Sequence, residues 1–495
     1  MGRYLILLCL PGMAYAEPAF EPVELAEPHI YTGGWEHFVG GGVAVLDCNG
    51  DALPEFVAAG GAKPMALYRN GSVPGEMRFT RGEIAPLEGV TGLYPLDIDS
   101  DGMLDLAVLR VGANVLLRGG PECSFTDATA EWGFDGGDRW STAFSATWEQ
   151  GRDWPTLAVG NYVDRSNPDG PFEACDVNEV HRASGSDGYE KTDLEPGFCA
   201  LSMLFSDWQR SGTQDLRVSN DRHYYVRGGS EQMWAMPQLT LREGDGWKPI
   251  SIWGMGIASQ DITGDGRPEV VLTSMGDQLM QIASPEGYSA APFGIGTYAA
   301  RPYTGGDGRP STGWHAQFGD INNDGRDDLF IAKGNVDQMP GMATKDPNNL
   351  LIQKGDGTFE ERGAEAGIAS LKRSRGAGLA DFDGDGRLDL VVINRRAPLQ
   401  LYRNISADTG NWLAFDPRQS GANTRAVGAW IELRLGDRVI AKEITVGGGH
   451  VSGQAVAVHV GLGDAERAEA RIIWPDGVEG PWQSFEAGRI HRLTR

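Results

Sequence analysis

The chain has 495 residues, with 43 Lys and Arg against 68 Asp and Glu, so its formal charge is −25. That surplus argues against nucleic acids and anionic lipid surfaces as partners, since both would repel it. Hydrophobic residues make up 41% of the chain, enough for a large core, yet no apolar run reaches the roughly 18 residues that a membrane-spanning helix needs.

The N-terminal stretch MGRYLILLCLPGMAYAEPAF sets Arg3 before a short apolar segment and the small-residue pattern Ala14-Tyr15-Ala16. This is the layout of a secretory signal over residues 1–16, and the mature chain is expected in the periplasm or outside the cell. From about residue 30 an acidic decapeptide recurs. DCNGDALPEF starts at Asp47, DIDSDGMLDL at Asp97, DITGDGRPEV at Asp261, DINNDGRDDL at Asp320 and DFDGDGRLDL at Asp381. Two worn copies lie between them. WEQGRDWPTL at Trp148 has no carboxylate at any ligand position, and DWQRSGTQDL keeps only Asp207 and Asp215.

The last copy shows the logic best. Asp381, Asp383 and Asp385 alternate, and glycines at 384 and 386 allow a turn tight enough to aim them at one point. An EF-hand would need a bidentate acid at the twelfth position, which here is Val392, and helices on both sides. The flanks GAGLA and LDLVVIN instead read as strands. Each good copy is therefore a strand–loop–strand calcium site, with side chains at positions 1, 3, 5 and 9 and the carbonyl at position 7 as ligands. These are Asp47, Asn49, Asp51 and Glu55 with Leu53; Asp97, Asp99, Asp101 and Asp105 with Met103; and Asp261, Thr263, Asp265 and Glu269 with Arg267. The other two sets are Asp320, Asn322, Asp324 and Asp328 with Arg326, and Asp381, Asp383, Asp385 and Asp389 with Arg387. A hard-oxygen set of this density selects Ca2+ over zinc, and about five ions are expected. Starts spaced 50 to 61 residues apart, each followed by short strands, predict an all-β chain: a seven-bladed propeller over 30–404 with a small β domain at 405–495.

Four cysteines remain beyond the signal. Cys175 and Cys199 bracket a polar insertion, 164–200, and are expected to form a disulfide; Cys48 and Cys123 either form a second or stay buried thiols. If the acidic loops join the first and second strands of each blade, the second-to-third connections lie on the other face. There GNYVDRS, SNDRHYYVR, AKGNVDQ and INRRAPL, with the entry segments, gather Trp140, Arg222, His223, Trp314, His315, Arg375 and Arg395. That mixture suits an anionic or sugar-like ligand, although the tryptophans could equally pack between blades.

Beyond residue 404, RAVGAWIELRLG, GGGHVSGQ, VHVGLGD and IIWPDG form an ordered set that resembles the ASPIC/UnbV domain. That module ends the cartilage acidic proteins and their bacterial relatives, and the acidic units resemble the integrin-like FG-GAP/VCBS calcium repeats preceding it there. The resemblance implies bound calcium, an extracytoplasmic setting and no established enzymatic activity. The integrin-style Phe-Gly…Gly-Ala-Pro signature is absent, so no integrin-like ligand site carries over. His450 and Ser452 in GGGHVSGQ lack a nucleophile elbow and read as a docking turn. The expected function is an exported, monomeric, calcium-stabilised binding or scaffold module for a protein, glycan or small anion. The alternative is a hydrolase- or cyclase-like enzyme working on the face opposite the calcium loops.

Overall fold

The computed structural model describes residues 17–184, 188–221 and 228–495. The expected signal at 1–16, Arg222 and His223 lie outside the described residues. Strands run almost wholly antiparallel and form seven four-stranded units in chain order, numbered here blades 1 to 7. Their innermost strands are Val43–Leu46, Val90–Leu96, Arg139–Thr147, Ala200–Ser206, Gly254–Gln260, Gly313–Gly319 and Arg373–Ala380. Each neighbours the next, and the seventh returns to the first, closing a ring. Closure buries both faces of every blade, so the inner strands are mostly apolar or small, with a few buried polar residues such as His315 and Arg375. In six blades the register slips by a bulge near the start of the inner strand, as between Ser374 and Ala377. Such slips add twist where strands crowd the axis.

Two features differ from the sequence reading. The ring begins before residue 30: Phe20–Val23 pairs antiparallel with Gln400–Asn404 and supplies the fourth strand of blade 7, joining both ends of the propeller in one sheet. The stretch read as an insertion at 164–200 is largely blade 3 itself, since Asn178–Ala183 and Tyr189–Leu194 are its two outer strands. Their polar composition hid them: Tyr189–Leu194 is the largely exposed outermost strand, while Asn178, Glu179 and His181 are buried polar residues, Asn178 accepting from the Asn161 amide and Glu179 pairing with His181. Both disulfides are formed, Cys48–Cys123 and Cys175–Cys199.

Residues 411–494 build two further sheets, Val458–Gly463/Asn411–Arg418/Ile490–Thr494 and Arg438–Glu443/Trp430–Leu435/Arg467–Ile473/Gln483–Glu486. Leu413, Phe415, Ile431, Leu433, Val460, Leu462 and Trp474 fill the core between them. The domain is not detached. Between its sheets the segment 444–455 leaves it and enters the propeller axis.

Candidate functional site

The acidic loops share one backbone plan, set by left-handed residues at positions 4 and 6. Gly384 and Gly386 have φ of 71° and 89°, and Ser100 and Gly102 have 63° and 93°. Glycine adopts this region without strain, and Ala52 at φ 70° holds it only because the loop around it is braced. The first carboxylate does the bracing. Asp381 accepts from the amides of Asp385 at 3.1 Å and Gly386 at 2.8 Å, and Asp320 does the same with Asp324 and Gly325. The fifth carboxylate accepts from the amide of position 7: Leu53, Met103, Arg267, Arg326 and Arg387 donate at 2.8–3.0 Å.

With the loop so folded, carboxylate oxygens of Asp97, Asp99 and Asp101 lie within 4.8 Å of one another, as do those of Asp381, Asp383 and Asp385. An arginine from the third strand reaches position 3 in each, Arg118 to Asp99 at 2.9 Å and Arg403 to Asp383 at 2.8 Å. These guanidiniums, with Arg387 beside Asp385 in the loop at 381, do not balance four carboxylates, and burial with like-charge neighbours pushes Asp97 and Asp385 upward and Asp381 up to about 7. Among the described residues, Oδ1 of Asp97, a residue 1% exposed, has no hydrogen-bond partner. Such a set fits a divalent hard cation.

The ninth residue plays a different part from its three partners. Its carboxylate lies outside the converging trio and staples two strands. Asp389 accepts from the amides of Phe382 at 2.9 Å and Asn404 at 2.8 Å; Asp105 accepts from Ile98 and Gly119, and Asp328 from Ile321 and Gln353. Burial raises Asp389 well above the ordinary carboxylate range and takes Asp105 to about 8. Glu55 and Glu269 occupy the same position and are pushed up to about 7, again mainly by burial. In the fourth loop the ninth residue, Asp215, is held by the Trp208 indole at 2.8 Å and Arg242 at 2.7 Å.

The C-terminal domain sits on these loops. Thr424 donates to Asp97, the Ala441 amide to Asp261 at 3.2 Å, and Arg438 to the Gly325 carbonyl at 2.6 Å. Gly410 and Gly463 donate to the carbonyls of Asn322 and Asn323, Lys442 grips Asp327 with both contacts at 2.7 Å, and Arg210 of the fourth loop lies 4.1 Å over Trp430. A cavity of about 830 Å3 remains between domain and propeller, lined by Asp47, Asp97, Asp381, Gln317, Trp412 and Arg425 among others.

The axial segment follows from its glycines. Val446, Gly447, Gly449 and Ser452 bridge to the inner strands of blades 3, 4, 5 and 2, and Gly453–Ala455 pairs parallel with Ala44–Leu46 of blade 1. A Cβ on Gly449, at φ 56°, would stand 2.3 Å from the His315 ring. His450 reaches through to the far side, its Nε2 donating to the Val39 carbonyl at 2.7 Å, and its amide donates to Nδ1 of His315 at 3.0 Å. Burial lowers His450 to about 3 and His315 to about 4, so both rings are neutral. Ser452 accepts from the Val43 amide. GGGHVSGQ is thus a docking element, as its glycines suggested.

Of the residues expected on the opposite face, Trp140, Trp314 and His315 are buried or placed elsewhere. Trp140 and Trp314 are 0% exposed. Trp140 packs edge-on against Trp35, Phe38 and Tyr162, and Trp314 lies between His450 and Arg375. His315 belongs to the axis and the cavity on the other side. Arg375 is caged by the carbonyls of Phe38, Ser374, Asn335 and Val336. The cover comes from residues 29–40, with Trp35 and Phe38, a segment whose aromatics carry no repeat signal and were missed.

Residues 419–495 match the family model described as ASPIC and UnbV, and residues 320–392 match that of an FG-GAP-like repeat. Cartilage acidic protein 1 of Homo sapiens is 29% identical over 163 residues, 32% of this chain and 24% of that one. Its Xenopus tropicalis counterpart is 35% identical over 118 residues, 22% of this chain and 18% of the other. The match thus spans about a quarter or less of these relatives. Among solved structures, the BBS1 N-terminal region crystallised with ARL6 gives a TM-score of 0.45 at 11% identity, covering 78% of this chain and 97% of that one. YCF48 bound to a D1 peptide gives 0.42 at 11%, covering 79% and 99%. The chain carries ASPIC/UnbV and FG-GAP-like repeat domains and is distantly similar to cartilage acidic protein 1.

Proposed function

We propose that the chain is an exported, calcium-loaded β-propeller serving as a non-enzymatic binding or scaffold module, with its C-terminal domain seated on the metal loops. The observation that carries this is the convergence of three carboxylates in the loops at 97 and 381, with one buried oxygen of Asp97 left unpartnered. Bound calcium would neutralise carboxylates that otherwise repel one another. The chain's own residues do the rest: positions 1 and 5 fix the turn, position 9 staples the strands, and Thr424, Ala441 and Arg438 rest on the ordered result. Two disulfides support an oxidising compartment. The distant similarity to cartilage acidic protein 1 supports a scaffold reading.

Elemental analysis of protein purified without chelator tests the proposal. About five Ca2+ per chain are expected, with one fewer in Asp99→Ala and in Asp383→Ala. Metal-free protein whose melting temperature ignores both EDTA and added calcium would refute it.

A further inference from the structure

On the face away from the acidic loops, four arginines of blade 7 crowd one another in a chain whose net charge is strongly negative. Arg373 and Arg395 are cross-strand partners at the bulged end of the inner pair, Arg375 lies behind them, and Arg396 follows at φ 57°. That left-handed conformation is unusual for a side chain of this size, and the Arg396 amide is held in it by the Tyr31 carbonyl at 2.8 Å. Among the described residues one carboxylate faces the group. Asp337 lies 3.4 Å from Arg373, 3.2 Å from Arg396 and 3.8 Å from Arg395. Glu36, nearby in the covering segment, is taken by Arg165 at 2.8 Å.

The charges do not balance. The Arg395 side chain is fully buried, yet its Nε and Nη1 have no hydrogen-bond partner among the described residues, and its Nη2 makes long bonds to the carbonyls of Gly33 and Gly34 at 3.3 Å, with Asp337 at 3.8 Å. Arg375, also buried, has only carbonyls and the Trp314 ring against it. Burying an under-paired guanidinium such as that of Arg395 is costly, and the second buried charge of Arg375 beside it raises the cost through mutual repulsion. Arg373 and Arg396 meanwhile are 33% and 45% exposed, so the group opens to solvent where Asp337 sits.

We propose that Arg373, Arg395 and Arg396, backed by Arg375, form a binding site for a tetrahedral oxoanion, a sulfate or phosphate group carried by an external ligand, in which Asp337 is the resident competitor. Guanidiniums offer paired N–H donors in a fixed fork, and several of them converging suit an anion with three free oxygens better than one side-chain carboxylate. The site refines the binding-module reading and rests on it, but it is independent of the metal loops, which lie on the opposite face.

Inorganic sulfate, inorganic phosphate and acetate are titrated calorimetrically at matched ionic strength against the full chain, with calcium content and melting temperature measured on the same samples. Asp337→Asn should raise sulfate or phosphate affinity about tenfold by removing the competitor. Arg373→Ala with Arg396→Ala, at partly exposed positions, should abolish it with calcium content and melting temperature unchanged. Preference for phosphate that strengthens above pH 7 would assign a phosphate-bearing ligand; preference for sulfate, with sulfate binding independent of pH, would assign a sulfate-bearing one. Acetate binding as tightly as either, or Asp337→Asn binding no better than the parent, overturns the proposal. Loss of calcium with anion binding intact would instead bear on the metal reading alone.

Discussion

Within one acidic loop, residues of the same type do different jobs, and the difference is measurable. Asp99 and Asp383 point into the converging trio, whereas Asp389 accepts from two backbone amides that would be orphaned without it. Asp389→Asn leaves one acceptor oxygen and sets an NH2 against an N–H donor. It should cost about 2–3 kcal/mol, the penalty of a buried unsatisfied polar group, with or without EDTA. Asp99→Ala should destabilise the calcium-loaded protein by a comparable amount and lose most of that effect once EDTA strips the parent as well. Urea unfolding in both conditions separates the two; equal EDTA dependence would mean the ninth residue has no separate structural role. Glu443 offers a second residue-scale test. It sits beneath the fourth loop, accepting from Ser206 and the Asp207 amide, and burial pushes it up to about 7. A carboxyl raised in the folded state holds its proton there while the unfolded chain has lost it. Its contribution is therefore fully present below about pH 4.5 and is lost as pH rises toward 7. Glu443→Gln should flatten the fall in melting temperature between pH 5 and 7.5, and identical slopes in variant and parent would contradict this.

At the scale of elements, legibility in the sequence tracked how strictly each element is constrained. Loops that must place three carboxylates at one point leave a fixed spacing, so the starts at 47, 97, 261, 320 and 381 could be read directly, and with them the seven-fold period. Outer strands carry no such constraint. Tyr189–Leu194 is polar because the sheet edge is wet, Asn178–Ala183 buries polar side chains bonded within the blade, and Phe20–Val23 is only four residues long, so all three were invisible as strands. On the opposite face the tryptophans were misread as exposed for a related reason. Aromatic and basic residues near the axis converge as expected, but sequence cannot tell that residues 29–40 and the loop around Phe172 lie over Trp140. Each disulfide joins neighbouring blades. Cys175 precedes the outer strands of blade 3 and Cys199 the inner strand of blade 4, while Cys48–Cys123 ties the first loop to blade 2. Loop closure predicts about 3 kcal/mol lost on opening the first bridge, with its 24-residue separation, and about 4 on opening the second, with 75. Cys175→Ser/Cys199→Ser and Cys48→Ser/Cys123→Ser compared by denaturant unfolding check the order, and no loss in either would exclude a stabilising role.

For the whole molecule the decisive feature is that the C-terminal domain is fastened to the propeller at two depths. Its sheets rest on the acidic loops of several blades, and segment 444–455 hydrogen-bonds along the axis to blades 1 to 5, ending with His450 at the opposite face. A ring whose centre is filled by another domain's backbone gains amide partners for strands that would otherwise line an open channel. The seating depends on glycine. At Gly449, with positive φ and His315 against its absent Cβ, any larger residue must both strain the backbone and displace the ring. Gly449→Val should therefore destabilise by more than about 3 kcal/mol, through a mechanism that adds backbone strain to overpacking. The parent, bound at both depths, should unfold in a single transition. In the variant the axial fastening fails first, so the C-terminal core around Phe415 and Trp474 and the propeller should melt separately. Calorimetry with tryptophan fluorescence decides the matter. A variant that still melts in one transition at the parent's temperature would show that the loop-face contacts alone hold the domain, and that the axial segment fills space without bearing stability.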